Sequence, residues 1–117
     1  MNHSNRGLVI LAVAIFLGTA ASNIALAESG VASVYSTESG SRTASGQRLN
    51  PSALTAAHRS LAFGTKVRVL NHKNGHSVVV TINDRGPFVR GRIIDVTPAA
   101  ARALGFSGLA PITLHPE

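Results

Sequence analysis

At 117 residues, the chain holds about one domain's worth of sequence. It contains no cysteine, which excludes a disulfide framework and a lipid-bearing N-terminal cysteine alike. Eleven Lys and Arg against five Asp and Glu give a net charge of +6, which favours acidic partners; one Tyr, four Phe and no Trp supply little base-stacking surface and argue against nucleic acid.

The chain opens with a basic end at Arg6, an unbroken apolar run LVILAVAIFL at residues 8–17, then GTAASNIALAES. This is the layout of a secretory leader, with Ala25 and Ala27 as the small residues that a signal peptidase reads. Cleavage is expected after Ala27, giving a signal peptide over residues 1–27 and a mature domain over 28–117. The apolar run is half the roughly 20 residues that a membrane span needs, and an uncleaved N-terminal anchor is the alternative. Removing the leader takes away one arginine and leaves ten basic against five acidic side chains, a balance of +5. A basic, exported domain is expected in the periplasm or secreted, with an anionic cell-wall polymer as its partner.

The mature part reads as short strands punctuated by turns. GVASVYS places Val31, Ser33 and Tyr35 on one side and Ala32 and Val34 on the other. TKVRVLN alternates Val67 and Val69 with Lys66 and Arg68, and SVVVTIN puts Val78, Val80 and Ile82 on one face. Between these two lies Asn74-Gly75, a hairpin turn signal because both residues tolerate positive φ. GRIIDV and PITLH complete the strands. One helix is marked at both ends: Thr97 as N-cap, Pro98 at the first helical position, AAARAL, and Gly105 as a left-handed stop. A mostly β chain with one short helix reads as a small closed barrel.

Five carboxylate side chains remain after the leader. Glu28 and Glu117 are terminal and Glu38 lies in the polar run STESGSR, which leaves Asp84 in INDRGPF and Asp95 in IIDVT. Asp84 follows an apolar strand where it hands over to a loop. It is a candidate acid or a turn-capping side chain. Asp95 sits among Ile93, Ile94 and Val96, so partial desolvation is expected to raise its pKa, as a general acid requires. Its structural alternatives are an ion pair with Arg85 or Arg92, or a part in capping the helix. His58 is either a site residue or a buried histidine satisfied locally. His72 and His76 flank the Asn-Gly turn without a third ligand, so no metal site is expected, and no motif implies a cofactor.

The segments ASVYS, RTASGQRLN, LTAAHRSLAFGTKVRV and VVVTINDRGPFVRGRIIDVTPAAARALG, in this order and spacing, resemble the rare lipoprotein A family. The resemblance covers residues 30–114. It implies a six-stranded double-psi β-barrel, similar also to expansin and barwin-like domains. It further implies action on peptidoglycan glycan strands: lytic cleavage between N-acetylmuramic acid and N-acetylglucosamine, leaving a 1,6-anhydro end. One acid suffices for that reaction, whereas hydrolysis normally uses two carboxyl groups.

By the same resemblance Asp95 and Asp84 are the catalytic candidates, and Tyr35, Thr43, Gln47, Asn50, His58, Arg85 and Arg92 line the sugar-binding groove. The chain departs from the family at GQRLN: Gln47 and Asn50 stand where characterised members carry Glu and Asp. Neither can deliver a proton, although both keep hydrogen-bonding reach. The sequence also ends just after the last strand, with no C-terminal glycan-binding repeat domain expected. A lytic transglycosylase, an expansin-like glycan-binding module without cleavage and a barwin-like inhibitory barrel are therefore all carried forward. Oligomeric state is not legible.

Overall fold

Period-two alternation sets the strands, and the polar turns between them fold the strands into a closed barrel. The computed structural model describes residues 26–35 and 41–117; most of the expected leader, and Glu38, lie outside the described residues. Among the described residues the strands are β1 (Glu28–Val34), β2 (Thr55–Ala57), β3 (Lys66–Asn71), β4 (Ser77–Asp84), β5 (Arg92–Val96) and β6 (Ala110–Pro116), with one helix, α1 (Pro98–Leu104), between β5 and β6. Ala32, Val67, Val69, Val80, Ile82, Ile94, Val96, Ile112 and Leu114 turn inward and are fully or almost fully buried. The polar residues between them face outward, the half-buried pattern of a barrel with a solvated exterior.

The order around the barrel is β1-β5-β2-β4-β3-β6. Each half places one strand between two strands that are consecutive in the chain. β4 lies between β2, to which it is parallel, and β3, to which it is antiparallel; β1 lies in the same way between β5 and β6. The halves are joined antiparallel at β3–β6 and β2–β5. This is the six-stranded, mixed, closed barrel with one helix that the family resemblance implies.

Two irregularities carry the barrel into its site. Ala56 and Ala57 of β2 face Ile82 and Asp84 of β4, so Asn83 is an extra residue in the ladder. Val31 and Ala32 of β1 face Arg92 and Ile94 of β5, so Ile93 is an extra residue too. Each bulge resets the alternation just before an aspartate. After buried Ile82 or Ile94, the carboxyl group of Asp84 or Asp95 is left half-exposed instead of entering the core. Gly30 makes room for the second bulge, since a Cβ there would lie 2.8 Å from the Ile93 side chain.

The helix is closed at both ends as its residues predict. Thr97 Oγ1 accepts the Ala100 amide at 3.3 Å and donates to the Ala53 carbonyl at 2.6 Å. At the other end the Gly105 amide donates to Arg102 O and the Phe106 amide to Ala101 O, a Schellman closure with Gly105 at φ +74°. The free Leu104 carbonyl accepts from Asn71 Nδ2 at 2.9 Å and Asn74 Nδ2 at 3.0 Å, so the β3–β4 hairpin completes the helix. A Cβ on Gly105 would lie 2.6 Å from Asn74 Nδ2. Gly105→Ala therefore combines left-handed strain with a displaced amide, and it is expected to cost about 2 kcal/mol. Urea unfolding checks this: Asn74→Ala, which removes only the amide, should cost less.

Candidate active site

The two halves of the barrel overlap at β2–β5 by only two residue pairs, Ala56 with Val96 and Ala57 with Asp95. Ala57 also faces Asp84 across β4, and Asp95 faces Ser33 across β1. Asp84, Ala57, Asp95 and Ser33 thus form one row over four strands, with the two acids on either side of an alanine. Strand spacing puts their backbones roughly 10 Å apart.

The carboxyl groups differ in what surrounds them. Three donors converge on Asp84: the Tyr35 hydroxyl on Oδ2 at 2.9 Å, and the amides of Ala44 at 2.8 Å and Arg85 at 2.9 Å on Oδ1. All three partners donate, the pattern that suits an acceptor-only carboxylate. Asp95 receives one side-chain hydrogen bond, from Ser33 Oγ at 3.2 Å. Burial pushes its pKa up; the Ser33 bond and the Arg92 charge oppose this, and the charge of Asp84 adds to it. Like-charge repulsion from Asp84 is thus present, with burial as the larger cause. The Tyr35 phenol is pushed far up by burial first, then by its bond to Asp84 and the charges of both acids, so it stays a neutral donor.

The segment TASGQ is a turn docked on the end of β4. The Thr43 amide and hydroxyl both donate to Gln47 O, at 2.8 and 3.1 Å, and Gly46 at φ +91° allows the reversal. The turn is fastened by Ser45 N to Asn83 O at 3.2 Å and by Ala44 N to Asp84. Gln47 Oε1 accepts from Asn83 Nδ2 at 3.2 Å, a bond that a glutamate could accept equally. Asn50 is turned to its own backbone, its Oδ1 accepting the Ser52 amide at 2.9 Å. Thr43 is buried, whereas Gln47 and Asn50 are exposed. Ser45, Gln47, Phe63, Gly64, Thr81, Ile82 and Asn83 line a groove of about 280 Å³ beside Asp84.

His58 is committed to the fold. Its Nδ1 accepts the amides of Ser60 and Leu61, both at 3.1 Å, so Nε2 carries the proton and donates to Glu28 Oε1 at 2.9 Å. Arg85 donates to the carbonyls of His58 at 3.2 Å and Leu61 at 2.8 Å, and its guanidinium lies 4.1 Å from the centre of the Phe63 ring. Arg92 acts on Asp95 through its charge alone. The structure therefore gathers Tyr35, Thr43, Gln47, Asp84 and Asp95 around one seam, and gives His58 and Arg85 to the loop behind it. Residues that pattern reading passes over are Ser33, Ala44 through its amide, and Asn83. The adjacent Ile93-Ile94 pair, breaking period two, is the signal for one bulge; nothing local marks the other. Among the described residues no three His, Cys, Asp or Glu side chains come together as a metal site.

Four likenesses place this geometry among known proteins. The family model described as lytic transglycolase matches residues 18–114. The probable endolytic peptidoglycan transglycosylase RlpA of Nostoc is 58% identical over 100 residues, a match covering 81% of this chain and 27% of that protein, so the chain spans about a quarter of the relative's length. The apo expansin of Clavibacter michiganensis superposes with a TM-score of 0.63 at 25% identity, covering 79% of this chain and 50% of that one. The Streptomyces papain inhibitor does so with 0.65 at 23%, covering 80% and 96%, and shares the fold.

Because burial raises the pKa of Asp95, its folded form holds the proton more tightly than the unfolded chain. Its contribution to stability is full below the unfolded value of 3.8 and is lost as pH rises through the higher folded value. Asp95→Asn keeps an acceptor for Ser33 and removes the half-buried charge. It is expected to raise the melting temperature at neutral pH, with the gain shrinking toward about pH 3; thermal melts at both pH values check this.

Proposed function

This chain belongs to the lytic transglycolase family, and from that premise we propose that its barrel is a peptidoglycan lytic transglycosylase domain, exported by a leader ending at Ala27 and working in the cell envelope. The observation that carries the reading is Asp95: a half-buried carboxyl group at a strand seam, reachable from outside, whose pKa is raised by its surroundings. A proton held toward neutral pH is what a general acid needs.

In its acid form Asp95 gives its proton to the glycosidic oxygen of the departing N-acetylglucosamine as that oxygen's bond to C1 of N-acetylmuramic acid breaks. The resulting carboxylate takes the proton of the muramyl 6-hydroxyl as O6 bonds to C1 and closes the 1,6-anhydro ring. No water is consumed, and Asp95 ends the cycle as the acid. Positive charge develops at C1 between these events, and the carboxylate of Asp84 is the neighbouring charge that stabilises it. Tyr35 keeps that carboxylate in place. Gln47 and Thr43 shape the wall against which the sugar lies, Asn50 flanks it, and Arg92 meets muramyl or peptide carboxylates at the far side of β5.

A second reading has its own support: Gln47 and Asn50 are neutral where the family resemblance expects acids. In that case the barrel grips glycan without cutting it. Mass spectrometry of glycan strands incubated with the protein separates the two readings. New 1,6-anhydro ends, absent with Asp95→Asn while binding to the strands persists, are the expected outcome. Intact strands that still sediment with the native protein would support the binding module. Turnover is expected to fall as pH rises through the raised pKa of Asp95, since the acid form starts the reaction.

A further inference from the structure

The loop over residues 85–91 joins the strand bearing Asp84 to the strand bearing Asp95, and at its tip it carries the most exposed aromatic side chain among the described residues. Phe88 is 78% exposed and Val89, next to it, 51%. Neither belongs to the hydrophobic core. Exposed apolar groups placed side by side in a small soluble barrel mark a contact surface.

The loop is held at both ends. Its entry is fixed by the Arg85 amide on Asp84 and the Arg85 guanidinium on two carbonyls and the Phe63 ring. Its exit is fixed by Arg92 N to Val89 O at 3.1 Å and by Val31 N to Gly91 O at 3.0 Å. Between them Phe88 rests on the backbone: a Cβ on Gly86, which stands at φ +115°, would lie 3.5 Å from Cε2 of the ring. A side chain at Gly86 would make only ordinary contact with the ring; the positive φ is what calls for glycine there. One edge of the ring thus lies near Gly86 while most of the side chain faces solvent, four residues along the chain from one acid and seven from the other.

We propose that Phe88 is a stacking platform for a pyranose ring of the glycan strand, one that positions the strand across Asp84 and Asp95. This rests on the reading of the barrel as a glycan-acting domain and names a binding residue that the family resemblance did not supply. A sugar ring offers a flat face of C–H groups, which packs on an aromatic face and leaves the hydroxyls at its rim solvated. Because the loop is already ordered, little conformational freedom is lost on binding. Charge fits the same occupant: exposed Arg90 and half-buried Arg92 follow Phe88 in the chain, and lactyl or peptide carboxylates punctuate a peptidoglycan strand.

The test titrates soluble glycan strands, stripped of stem peptides, into the Asp95→Asn protein, so that binding is read without cutting. Adding Phe88→Ala should weaken binding about tenfold while leaving the melting temperature unchanged, as fits the loss of one stacked ring from an exposed site. Phe88→Trp should restore affinity. It introduces the chain's one tryptophan, whose emission should shift as strands are added. Native affinity in the Phe88→Ala protein, or an emission that stays still while the strands bind, would overturn the platform and leave the glycan reading standing. Failure of the strands to bind the native protein at all would remove that reading, and the platform with it. A concentration-dependent dimer abolished by Phe88→Ala would reassign the surface to a second copy of the chain.

Discussion

The carboxylate of Asp84 is the knot of this molecule. Three segments meet on its two oxygens, two of them forty or more residues away in the chain: the end of β1 through Tyr35, the TASGQ turn through Ala44, and the adjoining β4–β5 loop through Arg85. Without these bonds the turn would keep only its contacts with Asn83, and the groove beside β4 would lose the element that forms one of its walls. A half-buried carboxylate is tolerated here because each oxygen is met by a donor; removing the side chain would leave two backbone amides and a phenol without that acceptor.

Asp95, in the same row with one strand between, is treated oppositely. It has one hydroxyl for company and is surrounded by apolar strand, so its surroundings favour the neutral form. Two carboxyl groups separated by an alanine are thus given different environments by their second neighbours, the arrangement from which an acid and an electrostatic partner are made. The Gln47 and Asn50 substitutions read differently in this light. Gln47 accepts from Asn83 and Asn50 from its own turn, so neither bond requires a negative charge. The shape of the wall does not depend on a charge at either position.

Much of the barrel was legible in sequence because its rules are local. Val67 and Val69, or Val80 and Ile82, announce their strands by alternation, and Thr97, Pro98 and Gly105 announce the helix by its ends. β2 was not legible: three residues, Thr55–Ala57, cannot show a period, and two alanines carry no strand preference. Closure into six strands came from the resemblance and not from the pattern. At the site, the burial of Asp95 followed from its apolar neighbours. The bond of Asp84 to Ala44, forty positions away, depends on register, which is set only when strands meet. The same holds for His58: its commitment to Glu28 and to two amides of its own loop is a property of the closed barrel.

The position of the acids has a cost that the fold accepts. β2 and β5 share two residue pairs, whereas β1–β6, β3–β4 and β3–β6 share five each. The acids therefore stand beside the thinnest ladder, on either side of the shortest strand, β2. A deeper overlap would stabilise the closure, but it would place more side chains across the row and cover the gap that Ala57 leaves between the carboxyl groups. The side-chain and loop bonds converging on Asp84 offset this thin pairing: they tie the seam together from outside the barrel without occupying the space between the acids. A chain without disulfides can thus keep an open site at its weakest seam, because the residue that flanks the site also fastens the segments around it.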